Sequence, residues 1–159
     1  MELYYNIAGL NVILDSYGRI IKQAEKYAGA PFERADINIS SNAIKTMREY
    51  WRIIDRFSDE TDDNIEYLAT GAFFYKCLLD FDSFHLHSSA VVFNNKAYLF
   101  SAESGTGKST HPSLWLKQFG DSAYILNDDK PVVRLENGVW YAYGSPWSGS
   151  KDISVNAKI

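Results

Sequence analysis

The chain has 159 residues, one cysteine and a formal net charge of −4, and it is 46% hydrophobic, 23% charged and 15% aromatic. A chain this long and this apolar buries a core without disulfides, which excludes the disordered and low-complexity classes. Its acidic balance opposes broad binding to nucleic acid or to an anionic membrane, so neither is expected as a partner and any bound anion needs a local site. With a single cysteine, no basic leader and no apolar run near ~18 residues, the expected location is the cytoplasm.

Leu3 to Ala8 and Leu10 to Asp15 read as two strands of a hairpin around Gly9. Tyr17 to Ala28 carries a weak helical spacing that Gly18 interrupts and Gly29 with Pro31 ends. Ala35 to Ile39 reads as a short strand. Ile44, Met47, Trp51 and Ile54 share one helical face, with Ser40, Ser41 or Asn42 as the N-cap. A charged loop over 55–63 follows. Asp63 and Glu66 then have capping-box spacing. Ile65, Leu68, Ala69, Ala72, Tyr75 and Leu79 form an apolar stripe, which Phe73, Phe74, Cys77 and Leu78 widen until the helix is buried nearly all round.

The character changes near residue 84. Ser89 to Phe93 and Ala97 to Phe100 read as strands of a hairpin turning at Asn94-Asn95. A glycine-rich stretch follows, then a helix through Leu114, Trp115 and Leu116 that ends at Gly120. Ala123 to Leu126 is a strand leading to Asn127-Asp128-Asp129. Val132 to Leu135 and Val139 to Tyr143 form a hairpin around Asn137-Gly138, and Ile153 to Ile159 begins a further strand. The pattern divides the chain into an N-terminal α+β segment, 1–83, packed on a core over 84–159. No internal repeat or linker interrupts it.

Residues 102–109 read A-x-x-x-x-G-K-S, the Walker A pattern with Ala102 in place of the first glycine. Gly105 and Gly107 let the backbone wrap with its N–H groups inward as an anion nest, and the next helix adds its positive end. Lys108 then reaches the β- and γ-phosphates, and the Ser109 hydroxyl is placed to ligand Mg²⁺. The cofactors implied are ATP, or another nucleoside triphosphate, and Mg²⁺. The bland alternative is a glycine-rich turn before a helix.

Asp128 and Asp129 follow a four-residue apolar strand. In a P-loop fold the strand beside the loop ends in an aspartate that holds Mg²⁺. Adjacent side chains at a strand end point in different directions, so one serves the metal while the other faces an acceptor proton. The plain alternative is an Asp-Asp turn before Lys130-Pro131. His87 stands just before the strand that feeds the loop, near the γ-phosphate or Asp129, or else as a hydrogen-bonded strand-start histidine. A zinc site from His85, His87 and His111 lacks a cysteine or acidic ligand. His111 reads as structural. Trp147, in the segment Gly144 to Gly149, either packs on nucleotide or substrate or plugs the core beneath a turn.

The stretch from His87 to Gly149 resembles the HPr kinase/phosphorylase and phosphoenolpyruvate carboxykinase group of P-loop proteins. The loop Ser104-Gly105-Thr106-Gly107-Lys108-Ser109-Thr110, the hairpin preceded by His87, and the pair Asp128-Asp129 carry the resemblance. The segments His87-Ser88-Ser89-Ala90 and Gly144-Ser145-Pro146-Trp147-Ser148-Gly149 resemble the serine-kinase-like relatives, including those that modify peptides. The resemblance implies an α/β fold with a P-loop core fed by a β-hairpin. It also implies Lys108 on the phosphates, Ser109 and Asp128 on Mg²⁺, Asp129 as base and His87 in support. The chain lacks the Glu-Ile-Arg-Gly segment of true HPr kinases and any arginine after Arg134, so HPr itself is not the expected acceptor. Members of the group continue further, so a C-terminally truncated chain is expected. The function these expectations add up to is a Mg-ATP-dependent phosphotransferase acting on a serine or other hydroxyl of a peptide or protein. The alternatives are a small-molecule phosphotransferase or carboxykinase-like enzyme, and a non-enzymatic nucleotide- or partner-binding module. The oligomeric state is left open.

Overall fold

A computed structural model describes residues 3–54, 59–103 and 110–159. The loop positions Ser104, Gly105, Thr106, Gly107, Lys108 and Ser109 therefore lie outside the described residues. Among those described, four α-helices and three three-stranded sheets make a mixed α/β fold.

The first sheet has the order β1 (Tyr4–Ile7), β2 (Leu10–Leu14), β3 (Ile37–Ile39). β1 and β2 form the expected hairpin, turning through Ala8 and Gly9 at φ 55° and 72°. β3 joins β2 in parallel, which needs a crossover, and α1 (Arg19–Ala24) supplies it. The expected helix over 17–28 is thus shorter. Gly18, at φ 69°, delays its start, and Glu25–Tyr27 tightens into a 3₁₀ turn. α2 (Ser41–Ile53) follows, and Ile54 lies beyond its end, exposed.

α3 (Asp62–Leu78) is the central helix, burying Glu66, Tyr67, Ala69, Thr70, Gly71, Phe74 and Leu78. Its cap corrects the expected Asp63–Glu66 box. Thr61 accepts from the Asn64 N–H at 3.2 Å, while Asp63 accepts from the Arg19 N–H at 2.7 Å. Glu66 is 97% buried as the complement of its 3% exposure, accepts from the Ser16 hydroxyl at 2.7 Å and faces Arg48 at 3.4 Å. A buried carboxylate needs such partners. Leu79, expected on the buried stripe, starts a 3₁₀ turn and is exposed.

The second sheet has the order β4 (Ser83–His85), β8 (Val132–Glu136), β9 (Val139–Tyr143), all antiparallel. β4 was not expected, because three residues show no periodicity; β8 recruits it, pairing Ser83 with Arg134. The third sheet has the order β6 (Lys96–Phe100), β5 (Ser89–Phe93), β7 (Ala123–Asn127). β5 and β6 pair antiparallel, and Asn94 and Asn95 turn at φ 49° and 56°, the left-handed pair that a two-residue hairpin requires. α4 (Thr110–Phe119) covers this sheet with an aromatic cluster, including Phe119 on Phe93 at 4.2 Å and Trp115 near Tyr98 at 4.7 Å.

The tail does not form the strand expected over 153–159. Ser154 bridges Asn127 and Lys158 bridges Tyr143, but between them the Ala157 N–H donates to Val155 O at 2.9 Å, a local turn that breaks the ladder. The main core joins the first sheet, α1, α2 and α3 to Val132, Tyr143 and Trp147, so it draws on both parts of the chain.

Candidate functional site

The site is built where β6 and β7 end. Each runs antiparallel to β5, so they are parallel to one another and their C-terminal ends flank the start of β5 at Ser89. Within the sheet, β5 stands between β7 and the strand that leads to the glycine-rich segment. A register shift between Ala90 and Val91 marks a bulge in the β5–β7 pairing, and bulges re-aim the residues that follow them.

Those residues are Asn127, Asp128 and Asp129. Asn127 is fully buried, and its side chain organises the turn. Its Oδ1 accepts from the N–H groups of Asp129 and Lys130 at 3.0 and 2.8 Å, an Asx turn. Its Nδ2 donates to Ser145 O at 2.8 Å. Ser145 in turn donates its hydroxyl to Lys130 O at 2.7 Å. The two carboxylates then diverge. Asp128 Oδ1 accepts from the Ser89 hydroxyl at 2.7 Å. Asp129 Oδ1 lies 3.1 Å from His87 Nε2, and its Oδ2 lies 2.6 Å from Lys130 Nζ. His87 is tied back to β6, since the Ser101 hydroxyl donates to its carbonyl at 3.0 Å. Asp129 O accepts from the Ser88 N–H at 2.9 Å.

The segment after β9 backs this cluster. Gly149 adopts φ 75°, and a Cβ there would stand 3.3 Å from Asp129 Cβ. Its N–H donates to Tyr67 Oη at 2.9 Å, and its carbonyl accepts from Gln23 Nε2 at 2.8 Å. Trp147, two residues earlier, is fully buried. It stacks on Phe74 at 4.6 Å, meets Tyr75 edge-on at 5.7 Å and donates to Thr70 Oγ1 at 3.3 Å. It is a core plug, and the alternative of a nucleotide- or substrate-packing surface is set aside, because no face of the ring reaches solvent.

Burial also sets the charge states around the cluster. His85 stacks on Tyr75 at 3.8 Å. Burial pushes its pKa below the usual histidine value, and the neighbouring Lys130 and His87 push it the same way. Burial lifts the Tyr75 phenol well above its ordinary value, with Tyr67 and Asp129 adding to the effect. Tyr67 is pushed up to about 12, again mainly by burial. Both phenols are therefore neutral hydrogen-bonding groups near neutral pH.

The structure thus brings together His87, Asp128 and Asp129. Thr110 is the first residue of α4, and His111 packs against Phe100 at 4.5 Å. Among the described residues, no group of three or more histidine, cysteine or acidic side chains could hold a metal, which removes the three-histidine zinc arrangement. Sequence reasoning missed Lys130, Ser89 and Asn127 as members of the cluster. In the sequence Lys130 reads as the residue after an Asp-Asp turn, and its place next to two aspartates is a usable signal. Among the described residues, no helix is long and apolar enough to cross a membrane. Comparison with protein-family models, with curated proteins and with solved structures found no match.

Proposed function

We propose that the chain is a Mg-ATP-dependent phosphotransferase, delivering the γ-phosphoryl group to a serine or other hydroxyl of a peptide or protein. The observation that carries this reading is the link Ser101–His87–Asp129. It ties the end of β6, three residues before Ser104, to a carboxylate at the end of β7. The reading is supported by this: the chain leaves β6 towards the sequence of Walker A pattern at 102–109 from a point linked to Asp129, and Asp128 is held separately by Ser89.

The donor set fits Mg²⁺ in the manner usual for nucleotide enzymes. Mg²⁺ takes one or two carboxylates plus substrate phosphates, not an all-protein cage. Asp128, one oxygen of which accepts from Ser89, would supply one hard oxygen ligand, and the Ser109 hydroxyl, outside the described residues, is the expected second. When bound, the ion neutralises charge on the phosphates.

The remaining steps belong to the chain. Lys108 holds the phosphates through its ammonium. Asp129 accepts the proton of the acceptor hydroxyl, and His87 keeps the carboxylate oriented. The acceptor oxygen bonds to the γ-phosphorus as the bond from that phosphorus to the β,γ-bridging oxygen breaks, and ADP leaves with that electron pair. Catalysis of this type rests on positioning and charge neutralisation.

The test compares Asp129→Asn with Asp128→Asn. Asp129→Asn should retain nucleotide affinity while transfer falls by ~10²–10⁴-fold, the usual share of general base catalysis. Asp128→Asn should weaken Mg²⁺-dependent nucleotide binding instead. Calorimetry with ATP·Mg²⁺ and mass spectrometry of candidate acceptors read the two effects. Unchanged transfer by Asp129→Asn would refute the assignment.

A further inference from the structure

Asp129 offers two carboxylate oxygens, and each already faces a nitrogen: His87 Nε2 at 3.1 Å and Lys130 Nζ at 2.6 Å. The Lys130 contact is the closer and the less exposed. Its side chain is 22% exposed, as is that of Asp129, whereas His87 is 58% exposed. The backbone of Lys130 is fixed on both sides, by Asn127 Oδ1 at its N–H and by the Ser145 hydroxyl at its carbonyl. Only the aliphatic stem and ammonium of Lys130 are left to move. An acceptor hydroxyl that donates to Oδ2 must share or replace the ammonium there. A neutral acceptor that replaces it takes the ammonium's bond to its counter-charge, and a charge-assisted hydrogen bond is costly to forgo. An acceptor that brings its own anion compensates the cation and frees the carboxylate in one event.

We infer that Lys130 is a specificity-determining latch, and that the acceptor is a hydroxyl group carrying an anionic group beside it. This rests on the phosphotransferase reading and narrows its substrate class. In the free protein Lys130 sits on Asp129 Oδ2; in the complex its ammonium moves to the acceptor's anion. The anion then lies within about 8 Å of the hydroxyl oxygen, the reach of two hydrogen bonds of ordinary length joined through the Lys130–Asp129 contact. A seryl residue followed by aspartate meets this condition, and the same peptide with asparagine keeps the shape without the charge. Selectivity of this kind comes as much from penalising the wrong partner as from attracting the right one.

The probes are two short peptides, one with Ser-Asp and one with Ser-Asn at the same position. Phosphate transfer from ATP·Mg²⁺ is followed by mass spectrometry with the wild type, Lys130→Met and Lys130→Arg. The side-chain ¹⁵N resonance of Lys130, assigned by its loss in Lys130→Met, is followed on adding each peptide. The wild type should prefer the Ser-Asp peptide by about tenfold in kcat/KM, the factor for one charge-assisted contact. Lys130→Met should bring that ratio close to one, and Lys130→Arg should keep part of it. The Lys130 resonance should move with Ser-Asp and not with Ser-Asn. A preference that survives in Lys130→Met, no preference in the wild type, or a resonance that neither peptide moves would each overturn the inference. Where neither peptide is phosphorylated the resonance alone decides the inference: movement by Ser-Asp alone supports the anion contact while the missing transfer counts against phosphotransfer, so the two ideas fail separately.

Discussion

Gly71 stands where α3 touches the segment that backs the candidate site, and Gly71→Ala tests that contact. A Cβ at this position would lie 2.9 Å from Trp147 Cδ1, 3.0 Å from its Nε1 and 3.1 Å from Tyr75 Oη. The indole cannot yield easily. It is fully buried, stacked on Phe74 and bonded to Thr70. Forcing a methyl group into such a contact costs roughly 1–3 kcal/mol. Alanine offsets about 1 kcal/mol of this through its helix preference over glycine. The expected net effect is a destabilisation of about 0–2 kcal/mol, measured as a lower urea midpoint with an unchanged slope. A second step fixes the cause. In a Trp147→Leu background the nearest obstruction is gone and only Tyr75 Oη stays close, so Gly71→Ala should cost less there than in the wild type. If Gly71→Ala has the same effect in both backgrounds, close packing against Trp147 is not the reason glycine stands there.

Two further outcomes are expected. His85 has a folded pKa below its ordinary value of 6.5 because burial disfavours its charged form. The unfolded chain therefore binds more protons than the native one as pH falls through that value, and stability should drop from pH 7.5 towards pH 5. His85→Phe, which keeps a ring against Tyr75, should flatten this slope in urea titrations at each pH; an equally steep slope in the variant would assign the effect elsewhere. Lys108→Ala should weaken ATP binding by roughly 1.5–3 kcal/mol, the scale of a hydrogen bond to a charged group, and equal affinities by calorimetry would remove the phosphate-loop assignment.

Local signals were legible wherever turn chemistry and side-chain period agreed. Three hairpins are present where hairpins are expected: two turn at Asn94-Asn95 and Asn137-Gly138 as read, while the first turns through Ala8 and Gly9, which takes Ala8 out of the strand expected over 3–8, and each turn residue has positive φ. The misreadings concern tertiary choices. β4 has three residues and is defined by its pairing with β8, a contact across about 50 residues of chain that no local period reports. The Thr61 cap replaces the Asp63–Glu66 box because Arg19 and Ser16 recruit those two carboxyl groups from outside the helix. Trp147 had two readings in the sequence, and the glycine facing it, Gly71, lies 76 residues earlier (147 − 71). Spacing along a chain does not report a contact at that separation.

The site was legible in a different way. Asp128, Asp129 and His87 were singled out by their places at strand ends, and antiparallel pairing with β5 brings them to one end of a sheet. What the sequence did not reveal is the scaffold beneath them. Asn127, Ser145 and Gly149 touch no reacting group, yet they fix the turn, the lysine backbone and the rear of the Asp129 carboxylate. Their residue types are ordinary for any turn, so they give no signal until the fold sets them against one another. The same logic explains Lys130. As a residue in a turn it is an exposed cation by default; only the Asx turn at Asn127 and the bond to Ser145 fold it back onto its neighbour. The placing of both side chains therefore depends on a backbone conformation, and a change at buried Asn127 should disturb Asp129 and Lys130 together although its hydrogen bonds to them reach only their N–H groups.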